Sequence, residues 1–99
     1  MHVHCVMVKL HDPATTGECG ALMETMRGRI DGMVDLRVDV NNLVGSYSCD
    51  LSLTTSWVDL AAYEAYTTDL VHLEVRAQVF ELMADAMTID YTMPEESGR

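Results

Sequence analysis

Tyr66 and His72 stand six residues apart in Ala65-Tyr66-Thr67-Thr68-Asp69-Leu70-Val71-His72, at the junction of two helical segments. An imidazole that opens an apolar helix beside a phenol can move a proton in a dry cavity. Desolvation lowers the imidazole pKa and keeps the ring neutral near pH 7, the form a general base requires. The phenol can orient that base, or donate a hydrogen bond to a carbonyl oxygen as it becomes an enolate. Removing an acidic proton between two carbonyls needs those two parts, a base and a donor for the developing oxyanion. The competing reading is a core histidine satisfied by a backbone carbonyl or by Tyr66, with no substrate.

A second imidazole, His4, shares strand parity with His2, Val6 and Val8, and His72 shares a helical stripe with Val75, Val79 and Met83. These faces meet between sheet and helix. The expected pocket is therefore catalytic at His72 and Tyr66 and lined by His4, Val6, Val8, Val75 and Val79. Zinc accepts imidazoles such as His2, His4 and His72, but no carboxylate or cysteine completes the set in sequence, so neither a metal nor another cofactor is expected. Trp57 reads as the anchor of a strand-to-helix turn rather than part of a haem site. The eight methionines read as core, or as the lining of an adaptable apolar pocket. Asp35, Asp39, Asp50 and Asp90 read as a solvated or barrel-lining polar face. No Ser-His-Asp arrangement, phosphate loop or nucleotide fingerprint is present.

Six elements must position these groups. Residues 3–10 (V-H-C-V-M-V-K-L) are apolar on both faces, as in a central strand. Thr15 and Glu18 have capping-box spacing before a helix with Cys19, Leu22, Met23, Met26 and Ile30 on one face, and Gly32 ends it. Residues 33–41 alternate, with Leu36, Val38 and Val40 opposite Asp35, Arg37 and Asp39. Cys49, Leu51, Leu53 and Thr55 form the apolar face of a third strand. A short helix over 58–66 leads to a second from about Thr68, with Val71, Val75, Val79 and Met83 inward. Met87, Ile89, Tyr91 and Met93 make the last strand. The order β-α-β-β-α-β is a split βαβ unit: an α+β, ferredoxin-like monomer whose antiparallel sheet carries its helices on one face, with strands 1 and 3 central.

Ninety-nine residues make one domain, expected over 1–93, with a flexible C-terminal tail over 94–99. A chain this short has a modest core. In strand 1, Val3, Cys5 and Met7 point away from the helices and are left wet in a monomer. Burying each is worth about 1.5–3 kcal/mol, so a homodimer through the sheet face is expected. The net charge is −10, with 16 acidic residues against 6 scattered basic ones, which disfavours nucleic-acid and membrane-surface partners. Highly anionic substrates are disfavoured as well, unless Arg37 or Arg76 is aimed at them. No leader or apolar run of spanning length is evident. The three cysteines lack a C-x-x-C pairing and read as reduced, buried thiols, so the expected location is cytoplasmic.

In order along the chain, H-C-V-M-V-K-L, I-D-G-M-V-D-L-R-V, the N-N-L loop, T-S-W-V-D-L-A-A-Y-E-A-Y, V-H-L-E-V-R-A-Q-V-F and T-I-D-Y resemble the stress-responsive dimeric α/β-barrel (Dabb) family. The resemblance runs from about Val3 to Tyr91 and, within the family, extends to its olivetolic acid cyclase-like proteins. It implies a sheet that packs on a twofold mate to form a dimeric α+β barrel. It also implies cofactor-free cyclase or isomerase chemistry on a polyketide-like carbonyl compound, with Tyr66, His72 and His4 at the matching positions. Non-catalytic stress proteins and, on the wider barrel fold, antibiotic-monooxygenase-like oxidases are the alternatives. Where the family pattern is His-Pro-x-His, this chain has Asp69-Leu70-Val71-His72.

Overall fold

The computed structural model describes residues 1–94. The tail expected over 94–99 lies, beyond Pro94, outside the described residues. Strand β1 (His2–Leu10) leads through a 3-10 turn (Pro13–Thr15) into α1 (Thr16–Glu24). Then follow β2 (Met33–Val40), β3 (Leu51–Trp57), α2 (Leu60–Tyr66), α3 (Leu70–Leu82) and β4 (Met83–Thr92). The four strands form one antiparallel sheet in the order β2-β3-β1-β4, with β3 and β1 central. This is the ferredoxin-like α+β arrangement that the split βαβ pattern implies.

Strand parity divides the sheet into two faces. The helix-side face holds Leu36 of β2, Leu51, Leu53, Thr55 and Trp57 of β3, and Val8 and Leu10 of β1, all buried. From above, Cys19 and Met23 of α1, Met26 and Ile30 beyond it, and Val75 and Val79 of α3 complete the core. Full burial of a valine such as Val75 contributes about 1.5–3 kcal/mol, which helps hold α3 on the core. The last strand is not covered in the same way. Its helix-side residues Ala86, Thr88 and Asp90 are exposed, so the layer opens beneath the outer edge of α3.

Several local expectations are corrected. Helix α1 ends at Glu24, short of Ile30. Leu22 O accepts from both the N–H and the hydroxyl of Thr25, at 3.2 and 2.6 Å. This tightens the chain into i→i−3 turns that continue to Gly28, at φ 74°. Met26 and Ile30 reach the core from these turns. Thr15 makes no side-chain cap to α1. Asp12 instead accepts from Ala14 N–H at 2.9 Å and opens the preceding 3-10 turn. Val3 is buried on the open face, flanked in register by Ser56 and Tyr91, while Met7, beyond Cys5 on the same face, is exposed. Cys49 precedes β3, and both it and Cys5 are half-buried; only Cys19 is fully buried. Met83 belongs to β4, which begins directly at the end of α3 and is longer than expected.

Among the acidic residues, Asp35 and Asp39 are exposed on the open face, with Asp39 paired to Arg37 at 2.7 Å. Asp50 instead accepts from Leu10 N–H at 2.7 Å and fastens the end of β1. Asp90 departs furthest from a solvated role, since it lies among the imidazoles of the helix-side face.

Candidate active site

The α2–α3 junction is a short turn built from side-chain caps. Thr67 closes α2, with its hydroxyl donating to Glu64 O at 2.6 Å. Asp69 is extended (φ −66°, ψ 136°), and its carboxylate accepts from Val71 N–H at 2.8 Å, opening α3. An extended residue with a side-chain oxygen on the first turn is the preferred helix N-cap. The two helices are thereby interrupted just enough to bring Tyr66 and His72 together. Their rings stack with centroids 3.9 Å apart and planes tilted by 31°. Beneath them, Trp57 is sealed at 0% exposure and donates through Nε1 to Thr55 Oγ1 at 2.9 Å. Its ring lies 4.6 Å from that of Tyr66. Gly32 lets α2 approach: its φ is 82°, and a Cβ there would lie 2.5 Å from Ala62 Cβ.

Above the floor made by Val6, Val8 and Leu53 lies a cavity of about 500 Å3. All seven residues singled out from sequence line it: His72, Tyr66, His4, Val6, Val8, Val75 and Val79. Tyr63 and Phe80, not singled out from sequence, line it too, as do Arg76, named there only as a cation that could face an anionic substrate, and Asp90, named there only as part of a polar face. Tyr63 carried a usable signal, since it lies three residues before Tyr66 and hence on the same helical face. Asp90 shares strand parity with Thr88 and Ala86, but nothing local tied it to His4. Arg76 sits over the Phe80 ring, 4.7 Å from its centroid, and is the one cation lining the cavity among the described residues.

The two polar partners at the junction are electrostatically distinct. Burial lowers the His72 pKa below its ordinary 6.5; the nearby backbone of Tyr66 and Thr67 favours the proton but does not offset desolvation, and Arg76 and His4 add to the lowering. His72 Nδ1 is buried with no partner in hydrogen-bond geometry among the described residues. Burial, with a smaller contribution from Tyr63, pushes the Tyr66 phenol well above its usual range. At neutral pH the site therefore holds a neutral imidazole against a protonated phenol. Tyr66 and His72 meet by ring stacking; among the described residues no side-chain hydrogen bond joins them.

Asp90 gathers the two imidazoles of β1. One carboxylate oxygen lies 2.9 Å from His2 Nε2 and 2.8 Å from His4 Nδ1. Desolvation raises the Asp90 pKa, but the hydrogen bonds and charges of the two histidines outweigh it and hold the carboxyl below its usual range. Among the described residues, no group of three or more His, Cys, Asp or Glu is placed to hold a metal ion.

An antiparallel sheet with helices on one face and a polar-edged cavity beneath the last helix defines a ferredoxin-like α+β protein. The chain belongs to the Stress responsive A/B Barrel Domain (Dabb) family, whose model matches residues 3–93. Among solved structures, an Arabidopsis thaliana protein is similar at 14% identity, covering 98% of this chain and 99% of that one, with TM-score 0.82. A Bacteroides fragilis protein of unknown function, described as dimeric and ferredoxin-like, matches at 17% identity over 93% of this chain and 95% of that one, with TM-score 0.78. A Dabb family protein from Mesorhizobium loti matches at 17% identity over 95% and 97% of the two chains, with TM-score 0.74. The fold is also shared with an antibiotic biosynthesis monooxygenase, at 11% identity over 96% of this chain and 100% of that one, with TM-score 0.69. No curated protein matches the sequence. No helix among the described residues is long and apolar enough to cross a membrane.

Proposed function

We propose that the protein is a small-molecule-handling homodimer that moves a proton on an apolar carbonyl compound, as an olivetolic acid cyclase-like cyclase or isomerase. His72 is the base and Tyr66 the hydrogen-bond donor. The observation that carries this reading is the cavity of about 500 Å3 bordered by a neutral, stacked imidazole. That volume falls within the range of small-molecule sites.

In the proposed reaction the imidazole lone pair takes a proton from the carbon next to the carbonyl. The phenol donates to the oxygen on which the negative charge collects. The imidazolium then returns the proton to carbon or oxygen of the product. A base and an oxyanion donor suffice, so the step needs no cofactor. Val75, Val79, Val6 and Val8 supply apolar walls on the core side of the cavity.

The homodimer is supported by the open sheet face. Met7, Met87, Ile89 and Tyr91 lie together there, with Met87 67% and Ile89 56% exposed. A second copy placed on this face would remove the stripe from water. Three free cysteines fit a reducing cytoplasmic location. No residue of the site favours the oxidase alternative over proton transfer.

The test is deuterium uptake at the methylene of a medium-chain 3-oxoacyl ester, followed by NMR. Wild-type protein is expected to accelerate uptake, and His72→Ala to lower the rate by about 10²–10⁴-fold while retaining the native circular dichroism spectrum. Equal rates for the two proteins would remove His72 from the reaction.

A further inference from the structure

The sequence points to Arg37 and Arg76 as cations able to meet an anionic ligand, and the fold separates them. Arg37 lies exposed on the open face of the sheet, paired to Asp39 at 2.7 Å. Arg76 lines the cavity and, among the described residues, stands within ion-pair distance of no carboxylate. Its guanidinium lies over the Phe80 ring, 4.7 Å from the centroid. A contact of this kind steadies the group without using its N–H donors. Their fork geometry takes an oxyanion in two parallel hydrogen bonds.

The place of Arg76 along the cavity follows from the two elements that wall its open edge. His72, Arg76 and Phe80 recur at four-residue steps on α3 and so share a face. They span about 12 Å at the rise of a helix. On β4, Ala86, Thr88 and Asp90 line the same space and span about 13 Å at the rise of a strand. The strand begins directly at the end of α3 and runs back beneath it, so Asp90 lies at the His72 end and Ala86 at the Phe80 end. Tyr63 bridges the first end, its ring 4.8 Å from His4 and 5.9 Å from Tyr66. There Asp90 is already matched by His2 and His4, at 2.9 and 2.8 Å. Level with Arg76 is the neutral Thr88.

We propose that Arg76 forms an oxyanion subsite at the open edge of the cavity and selects amphiphilic ligands, an apolar chain ending in a carboxylate or a phosphate. The chain has its place against Val6, Val8, Leu53, Val75 and Val79. The charged end stays at the rim, where Arg76 is exposed, so the pair forms without the full cost of burying two ions. The net charge of −10 opposes an approaching anion, but physiological salt screens that repulsion beyond about 8 Å, and a contact pair acts within that distance. Arg76 follows His72 by one turn, about 6 Å along the axis, so the anion and the reacting carbon fall at different points of the ligand. This subsite rests on the proposed function in taking the cavity as the ligand site, and it requires no proton transfer.

The test is binding of n-octanoate, n-octyl phosphate and the neutral n-octanamide to the whole chain, by 1H–15N NMR titration at neutral pH in about 0.15 M salt. At least one anion is expected to bind about tenfold more tightly than octanamide, the scale of one charge-assisted hydrogen bond. Whichever anion binds more tightly identifies the ligand as a carboxylate or a phosphate. Arg76→Gln removes the charge but keeps a polar side chain, and should abolish the preference while octanamide binding holds. Arg29→Gln, which removes an exposed cation that does not line the cavity, should leave the preference intact.

Failure of all three probes to bind, no preference for either anion, a preference that survives Arg76→Gln, or one that Arg29→Gln removes equally would overturn the subsite. Octanamide binding without anion preference, alongside deuterium uptake that depends on His72, would leave the proposed function standing. Anion preference with uptake unchanged in His72→Ala would keep the subsite and remove the base.

Discussion

The helix-side face of the sheet has two halves built on the same alternation. Over β2 and β3, Leu36, Leu51, Thr55 and Trp57 are sealed beneath α1, α2 and the turns that follow α1. Over β4, Ala86, Thr88 and Asp90 point to the same side and remain exposed. Helix α3 reaches the core through Val75 and Val79 but carries exposed Arg76 and Phe80 on its outer side. The edge strand thus forms one wall of a cavity, not part of a core. Where a helix leaves an edge strand uncovered, polar residues can be partly desolvated without being packed solid, and that is the environment proton transfer requires.

The comparison can be broken most severely from the closed half. Trp57→Ala removes a fully buried ring that also supports Tyr66, and is expected to cost about 3–5 kcal/mol in urea denaturation. A matching loss from Val79→Ala, at the cavity wall, would show that the two halves are equally packed. A smaller effect is expected at the junction. Asp69→Ala deletes the α3 cap and should cost about 1 kcal/mol. It should also loosen the Tyr66–His72 stack, so that the uptake rate falls while the urea midpoint drops by about 0.3–1 M.

The smallest effect is in pH dependence. The His72 pKa is lowered in the folded state from an ordinary 6.5, so the unfolded chain binds the proton first as pH falls. Stability from keeping this ring neutral is whole above 6.5 and declines as pH drops from there toward the folded value. Asp90, also lowered, from 3.8, adds a second decline in stronger acid, below that value. Urea midpoints measured across the range should fall on acidification below 6.5, and His72→Phe should flatten the upper step without altering the lower one.

Much of this was legible in the residues themselves. Alternation in β1 put His4, Val6 and Val8 on one side, and the stripe of α3 put His72 with Val75 and Val79. The order of elements led to the fold. The short α1 was hidden because its apolar spacing continues to Ile30. What ends the helix is a hydroxyl, that of Thr25, bonding to the Leu22 carbonyl, which periodicity does not register. The family-pattern departure at Asp69-Leu70 became intelligible once Asp69 was seen capping α3. Asp90 reads in sequence as part of a solvated or barrel-lining polar face, and it is exposed, but its pairing with His2 and His4 has no local signature because they lie 88 and 86 positions away.

The amino-acid order by itself determined which side chains share a face, because the periods of strand and helix are local properties of the backbone. It also determined the nearness of Tyr66 and His72, which a short capped turn enforces. Only the tertiary structure decided that the space above β4 stays open. Only it decided that Asp90 closes on the imidazoles of His2 and His4. Volume and cross-strand distance come from how complete elements pack against one another, and no local pattern encodes the room left between them.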